Sequence, residues 1–171
     1  MTVSDAEFRA VLGRFPTGVT VVTTCEGTAP VGVTVNAFAS ISLDPPLVMV
    51  SIDKRSHLHI AIPQAAYFAV SILTAEQQDL SRRFAGQTGD RADRFRGVSW
   101  RSEATGAPIL SDALAWVDCR VEAIYDGGDH SIILGRVVAL GASSGDPLLY
   151  YRGRYGRIEL PADIAAHKGT P

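Results

Sequence analysis

Two residue types are scarce in this 171-residue chain: lysine occurs twice against fourteen arginines, and cysteine twice, at Cys25 and Cys119. The cysteines stand far apart with no CxxC, so they fit reduced buried thiols better than a redox or zinc pair. No apolar stretch reaches the roughly 18 residues of a membrane span. The opening MTVSDAEF lacks a basic region leading into an apolar run. We therefore expect no membrane association and a cytoplasmic location. With a net charge of −2 and a pI near 6.1, the chain has no bulk attraction for nucleic acid, so any anion site must be local. Most of the arginine excess reads as codon bias. GxGxxG, GxxxxGK[ST] and GxSxG are all absent, which removes the dinucleotide fingerprint, the P-loop and the nucleophile elbow. His57 and His59 form an HxH, but no HExxH, further spaced His or Cys cluster joins them, and we expect no metal.

What is present is an ordinary globular composition, 46% hydrophobic and 20% charged. No linker, repeat or low-complexity tract divides it. The expectation is one domain over residues 1–171, with its core at about 8–158 and a terminal tail from 161.

Ser4 and Glu7 are spaced as a capping box before Phe8, Val11, Leu12 and Phe15, which predicts a short amphipathic helix ended by Pro16. TGVTVVTT, a turn at EGTAP and then VGVTVNAFASISLDPP predict a hairpin. Along the second of these, Val31 to Leu43 alternates apolar with polar as one strand with one buried face. Its polar side carries Thr34, Asn36, Ser40 and Ser42, short neutral hydrogen-bonding groups that suit a bound polar molecule better than bulk water. LVMVSID reads as a strand covered on both sides, KRSHLHIAIP as a short helix or turn, and YFAVSIL as a strand. Thr74 and Gln77 form a second capping box for a helix ending at Gly86. QTGDRADRFRGVSW reads as a surface loop with limited structure. Two long strand patterns then flank Gly127 and Gly128, and LLYYRGRYGRI supplies a last strand. Six or seven strands, hairpin connections and no βαβ rhythm predict a mainly β, antiparallel barrel with short peripheral helices.

FPTGVTVVT, TVNAFASISLDPPL, a strand ending in DKRSH, LSRRFAG, GDHSIILGRV and LLYYRGRYG, in this order, together resemble the flavin reductase family. These are the small reductase components of two-component flavin-dependent monooxygenases. The resemblance runs from about Phe8 to Ile158 and implies a split-barrel flavin-binding fold, a homodimer, and NADH- or NADPH-dependent reduction of FMN or FAD by hydride transfer to flavin N5. A flavin-dependent monooxygenase receiving the reduced flavin is the implied partner. By the resemblance, Thr34, Val35, Asn36 and Ala37 approach the isoalloxazine and ribityl chain, and Ser40, Ile41 and Ser42 continue toward the phosphate. Ser51, Lys54, Ser56 and His57 supply fixed donors and positive charge for that phosphate. Arg83, Phe84, Ala85 and Gly86 match the segment that closes over the flavin. His130, in GDH, faces flavin and nicotinamide as the catalytic residue, with Tyr150, Tyr151, Arg152 and Tyr155 flanking the nicotinamide. Two other readings of such a barrel stay open: an oxidase that keeps its flavin as a prosthetic group, and a non-enzymatic flavin- or haem-binding sensor or carrier. The apolar N-terminal helix and the aromatic last strand independently favour a homodimer.

Overall fold

The computed structural model describes residues 2–159, so the tail expected from 161 lies outside the described residues. In chain order the elements are α1 (Asp5–Leu12), β1 (Thr17–Gly18), β2 (Thr20–Glu26), β3 (Ala29–Val35), β4 (Phe38–Leu43), β5 (Pro46–Asp53) and α2 (Leu58–Ala65). There follow β6 (Tyr67–Ile72), α3 (Gln78–Phe84), β7 (Trp100–Arg101), β8 (Ile109–Leu110), β9 (Ala115–Gly127), β10 (His130–Ala142), β11 (Leu149–Tyr151) and β12 (Arg154–Gly156).

Seven strands form one antiparallel sheet in the order β3-β2-β6-β9-β10-β5-β4. Its two edges, β3 and β4, are neighbours in the chain, joined only by Asn36 and Ala37. A link of two residues cannot cross a flat seven-stranded sheet, so the sheet curls until its edges meet and forms a barrel with a seam. The Ser51 N–H donates to the Ala37 carbonyl at 3.0 Å beside that junction. The predicted architecture, mainly β and antiparallel with short peripheral helices, is the one observed.

Inside the barrel Val22, Val50, Ile52, Phe68, Val70 and Ile133 form the main apolar cluster. Phe68 fits only because Gly135 faces it, since a Cβ there would stand 2.4 Å from the ring. A second cluster, including Val21, Leu73, Phe84 and Leu148, lies under α3 and the β11 end of the chain. Asp118 is fully buried on β9 and accepts hydrogen bonds from the N–H (2.9 Å) and hydroxyl of Thr105, which pins the loop before β8.

Four expectations change. Val31 to Leu43 is two strands, not one, because its halves pair with β2 and β5 at opposite edges of the sheet. Val35 is buried, but after the junction Ala39, Ile41 and Leu43 face outward, with a register shift between Ser40 and Ser42. TGVTVVTT likewise splits at Val19 into β1 and β2. The final stretch is a hairpin of β11 and β12, turned by left-handed Arg152 (φ 49°) and Gly153 (φ 78°), and it joins β1 in a small separate sheet. The segment read as a loosely structured loop holds a 3-10 turn at Arg91–Asp93, and Phe95 packs edge-on to Phe84 at 5.0 Å. The α1 capping box forms as predicted, yet no residue of α1 is buried. Among the described residues, no helix is long and apolar enough to cross a membrane.

Candidate functional site

The seam carries two adjoining grooves. The first, about 510 Å³, has β3 residues Val31 to Val33 as one wall and the turn after β5 as another. That turn is set by Asp53, whose carboxylate accepts from the Arg55 N–H at 2.8 Å and from the Arg55 guanidinium at 2.7 Å. The Arg55 hydrogen bonds hold the Asp53 carboxyl well below the usual carboxylate range. Ser56 Oγ accepts from the Leu58 N–H at 3.3 Å, and His57 Nε2 lies 2.7 Å from Glu26 Oε2. Ser56 and His57 both line the groove.

Its third wall is the 91–95 segment, which contributes Arg91, Arg94 and Phe95. The Arg83 guanidinium holds this segment in place by donating to the carbonyls of Asp93 (2.6 Å) and Arg96 (2.5 Å). Arg94 Nη1 donates to the Gly32 carbonyl at 3.0 Å, and its Nε is buried without a partner. Burial and the nearby charge of Arg91 push the Arg94 guanidinium below its ordinary pKa.

The second groove, about 920 Å³, lies where the chain passes from β3 to β4. Asn36, Ala37, Phe38 and Met49 form its barrel side; Phe8, Leu12 and Phe15 of the α1 region and Tyr150 and Arg152 form the rest. From Val33 to Asn36 is three residues, roughly 10 Å of extended chain, so the two grooves are consecutive along one segment. One is apolar and wide; the other is narrow and cationic.

The structure gathers the expected site residues unevenly. Asn36 and Ala37 are exposed at the junction, and Ser51 lies beside Ala37. Thr34 spends its hydroxyl donating to the Ser81 carbonyl at 2.7 Å, which ties β3 to α3, and Val35 turns into the core. Ser40, Ile41 and Ser42 run away from the cationic turn, opposite Val48 and Leu47 on β5, so they are not brought to the Ser56–His57 end. Lys54 is paired with Asp126 at 2.7 Å. Arg83 Nη2 donates to the two loop carbonyls, and Phe84 is fully buried against Gly32. Ala85 ends α3, and Gly86 (φ 73°) gives Arg94 room, since a Cβ there would lie 2.8 Å from Arg94 Nη2. His57 and His59 diverge, His59 Nδ1 meeting the Ser131 hydroxyl at 3.2 Å.

His130 opens β10 directly across from Asp53, with Nδ1 2.7 Å from Asp129 Oδ1. That contact orients the ring and leaves Nε2 without a partner among the described residues. Tyr150 and Arg152 line the apolar groove, whereas Tyr151 does not. Tyr155 hydrogen bonds Ser81 Oγ at 3.0 Å and stacks edge-on with Tyr150 at 5.4 Å, a bracing role. Arg91 and Arg94 were missed. The signal available was the density of arginine in GDRADRFRG, in a segment that reads as solvated loop.

Comparison with known proteins matches residues 12–159 to the family described as Flavin reductase like domain. The reductase subunit HsaB of a flavin-dependent monooxygenase from Mycobacterium tuberculosis is 42% identical over 163 residues, covering 94% of this chain and 86% of that protein. The FMN reductase (NADH) SmoA of Agrobacterium fabrum is 45% identical over 155 residues, covering 91% and 87%. Among solved structures, the NADH:FAD oxidoreductase of Streptomyces globisporus in complex with NAD and FAD fragments superposes with a TM-score of 0.86 at 37% identity, covering 95% of this chain and 100% of that one.

Proposed function

Because the chain belongs to the flavin reductase-like domain family, we propose that it is an NADH-dependent flavin reductase supplying reduced FMN or FAD to a partner monooxygenase. The observation that carries this reading is the seam, where an apolar groove at Asn36 to Phe38 runs into a cationic groove at Ser56, His57 and Arg94. A flat apolar ring system joined by a short polar chain to phosphate is the ligand such a sequence of surfaces suits. Arg91 and Arg94, which line the cationic groove, fit a phosphate, and the exposed Asn36 fits the polar edge of a flavin ring.

When both nucleotides are bound, the chemistry is hydride transfer from the nicotinamide to flavin N5, which needs no protein nucleophile or metal. The chain's work is to place two rings in contact and keep water from between them. His130, its ring fixed by Asp129 beside Asp53, orients the nicotinamide nucleotide. Asn36 and the backbone at Ala37 hold the flavin ring without a covalent tie, so reduced flavin can leave. NADH is favoured because relatives are named for it. The exposed apolar side chains of Phe8, Val11 and Leu12 on α1, and of Phe15 just beyond it, support a homodimer in which a second copy covers them. Use of NADH and of a partner oxygenase would suit a cytoplasmic protein.

The test is NADH consumption by the purified protein with and without added FMN, FAD and riboflavin. Steady loss of NADH that requires added flavin supports the reductase. A protein that stays yellow through gel filtration and does not consume NADH overturns the reading in favour of a permanent flavin carrier.

A further inference from the structure

We propose that Arg91 and Arg94 make this protein prefer FAD to FMN by holding the second phosphate, the one that joins the flavin half of FAD to adenosine. The proposal rests on the flavin reductase reading and adds to it, because relatives are named variously for FMN and for FAD and family membership leaves the flavin open.

The charges around the cationic groove are unequal. Arg55 is bound to Asp53, Lys54 to Asp126 and Arg96 to Asp93, while Arg83 is occupied by two backbone carbonyls. Arg91 and Arg94 have no carboxylate partner among the described residues, although both line the groove. They stand three apart, Arg91 opening the 3-10 turn and Arg94 directly following it, and both line the same groove. Two like charges thus share one wall with no carboxylate beside them among the described residues. Such a pair costs free energy until an anion arrives.

The wall is also preorganised. Arg83 braces the backbone of the segment, Phe95 sits on Phe84, and Arg94 is seated between Gly86 and the Gly32 carbonyl. A clamp already ordered loses little on binding. Across from it, Ser56 and His57 line the facing wall, His57 with its Nε2 2.7 Å from Glu26 Oε2. At about 510 Å³ the groove is far larger than one phosphate needs, given that a water molecule's share of liquid volume is about 30 Å³. The two arginines line that same groove. A second phosphate fits there, and a guanidinium plane offers a purine a surface to stack on.

Dissociation constants for FAD, FMN and riboflavin, read by flavin fluorescence for the wild type, Arg91→Ala and Arg94→Lys, test the proposal, with NADH Michaelis constants measured alongside. The expected result is FAD tighter than FMN by about tenfold or more in the wild type, as charge-assisted hydrogen bonds predict. In Arg91→Ala the ratio of FAD to FMN affinity falls toward one, and Arg94→Lys, which keeps the charge but loses the fork, gives an intermediate ratio. Equal or tighter FMN binding in the wild type overturns the proposal. So does an Arg91→Ala variant that raises the NADH Michaelis constant but keeps its FAD preference, since the clamp then serves the nicotinamide nucleotide. Failure of all three flavins to bind or be reduced overturns the flavin reductase reading itself, a different result from an absent FAD preference.

Discussion

Arg94 donates its Nη1 to the carbonyl of Gly32 at 3.0 Å, joining residues 62 positions apart in the chain. The bond fastens the 91–95 segment across the middle of β3 and closes one side of the cationic groove. Gly32 and Gly86 both serve it. A side chain at Gly32 would press within 2.9 Å of the Phe84 ring, and one at Gly86 would meet the Arg94 guanidinium.

Gly86→Ala is therefore expected to move Arg94 as well as strain a left-handed backbone. The strain alone costs about 1 kcal/mol, seen as a lowered midpoint in urea. Displacement of Arg94 adds a change in the ratio of FAD to FMN affinity, which loss of stability would not alter. A variant that is less stable but keeps the wild-type ratio would assign Gly86 to turn geometry alone.

Much of this fold was legible because periodicity and caps report local physics. The Ser4–Glu7 and Thr74–Gln77 boxes both form, and β9 and β10 meet around Gly127 and Gly128 as the pattern requires. The junction at Asn36 was not legible, since alternation continues through it while the pairing partner changes from β2 to β5. Partner choice is a long-range property. Arg83 and Arg94 show the same limit at the site: both donate to backbone carbonyls, only Arg94 lines the groove, and nothing in their local sequence distinguishes them.

Asn36→Leu tests the apolar groove. Asn36 is exposed at the junction, and the replacement removes its hydrogen-bonding groups while keeping its approximate size. The flavin dissociation constant should rise about tenfold, as loss of hydrogen bonds worth about 1–3 kcal/mol implies. Isothermal titration with FMN and riboflavin measures it, and unchanged affinity in a folded variant would remove Asn36 from the site.

For His130→Ala the expectation is a split between ligands. The NADH Michaelis constant should rise and flavin reduction slow, with the flavin dissociation constant nearly constant, because His130 is proposed to position the nicotinamide nucleotide. Asp129→Asn, which weakens the 2.7 Å contact to Nδ1, should give a smaller change of the same kind. Equal loss of both ligands would point to collapse of the β9–β10 turn instead.

Cys119 contributes to the alkaline behaviour. Burial, with the Asp118 charge adding to it, pushes the thiol up to about 12. The folded state holds this proton more tightly than the unfolded chain, so the stability it contributes is complete below about pH 8.5 and declines as pH rises toward 12. Between about pH 9 and pH 10.5 the decline should be about 2 kcal/mol. Urea unfolding of wild type against Cys119→Ser, whose hydroxyl does not titrate there, isolates it; parallel stability–pH curves for the two proteins would contradict the assignment.

The most direct measurement of the central claim is anaerobic stopped-flow mixing of the protein and oxidised flavin with NADH, followed at the visible flavin band. The account predicts bleaching of the flavin with one NADH consumed per flavin, at a rate that saturates with NADH and falls in His130→Ala. Flavin that binds the protein and is not bleached by NADH, at a concentration where free flavin is equally inert, would contradict it.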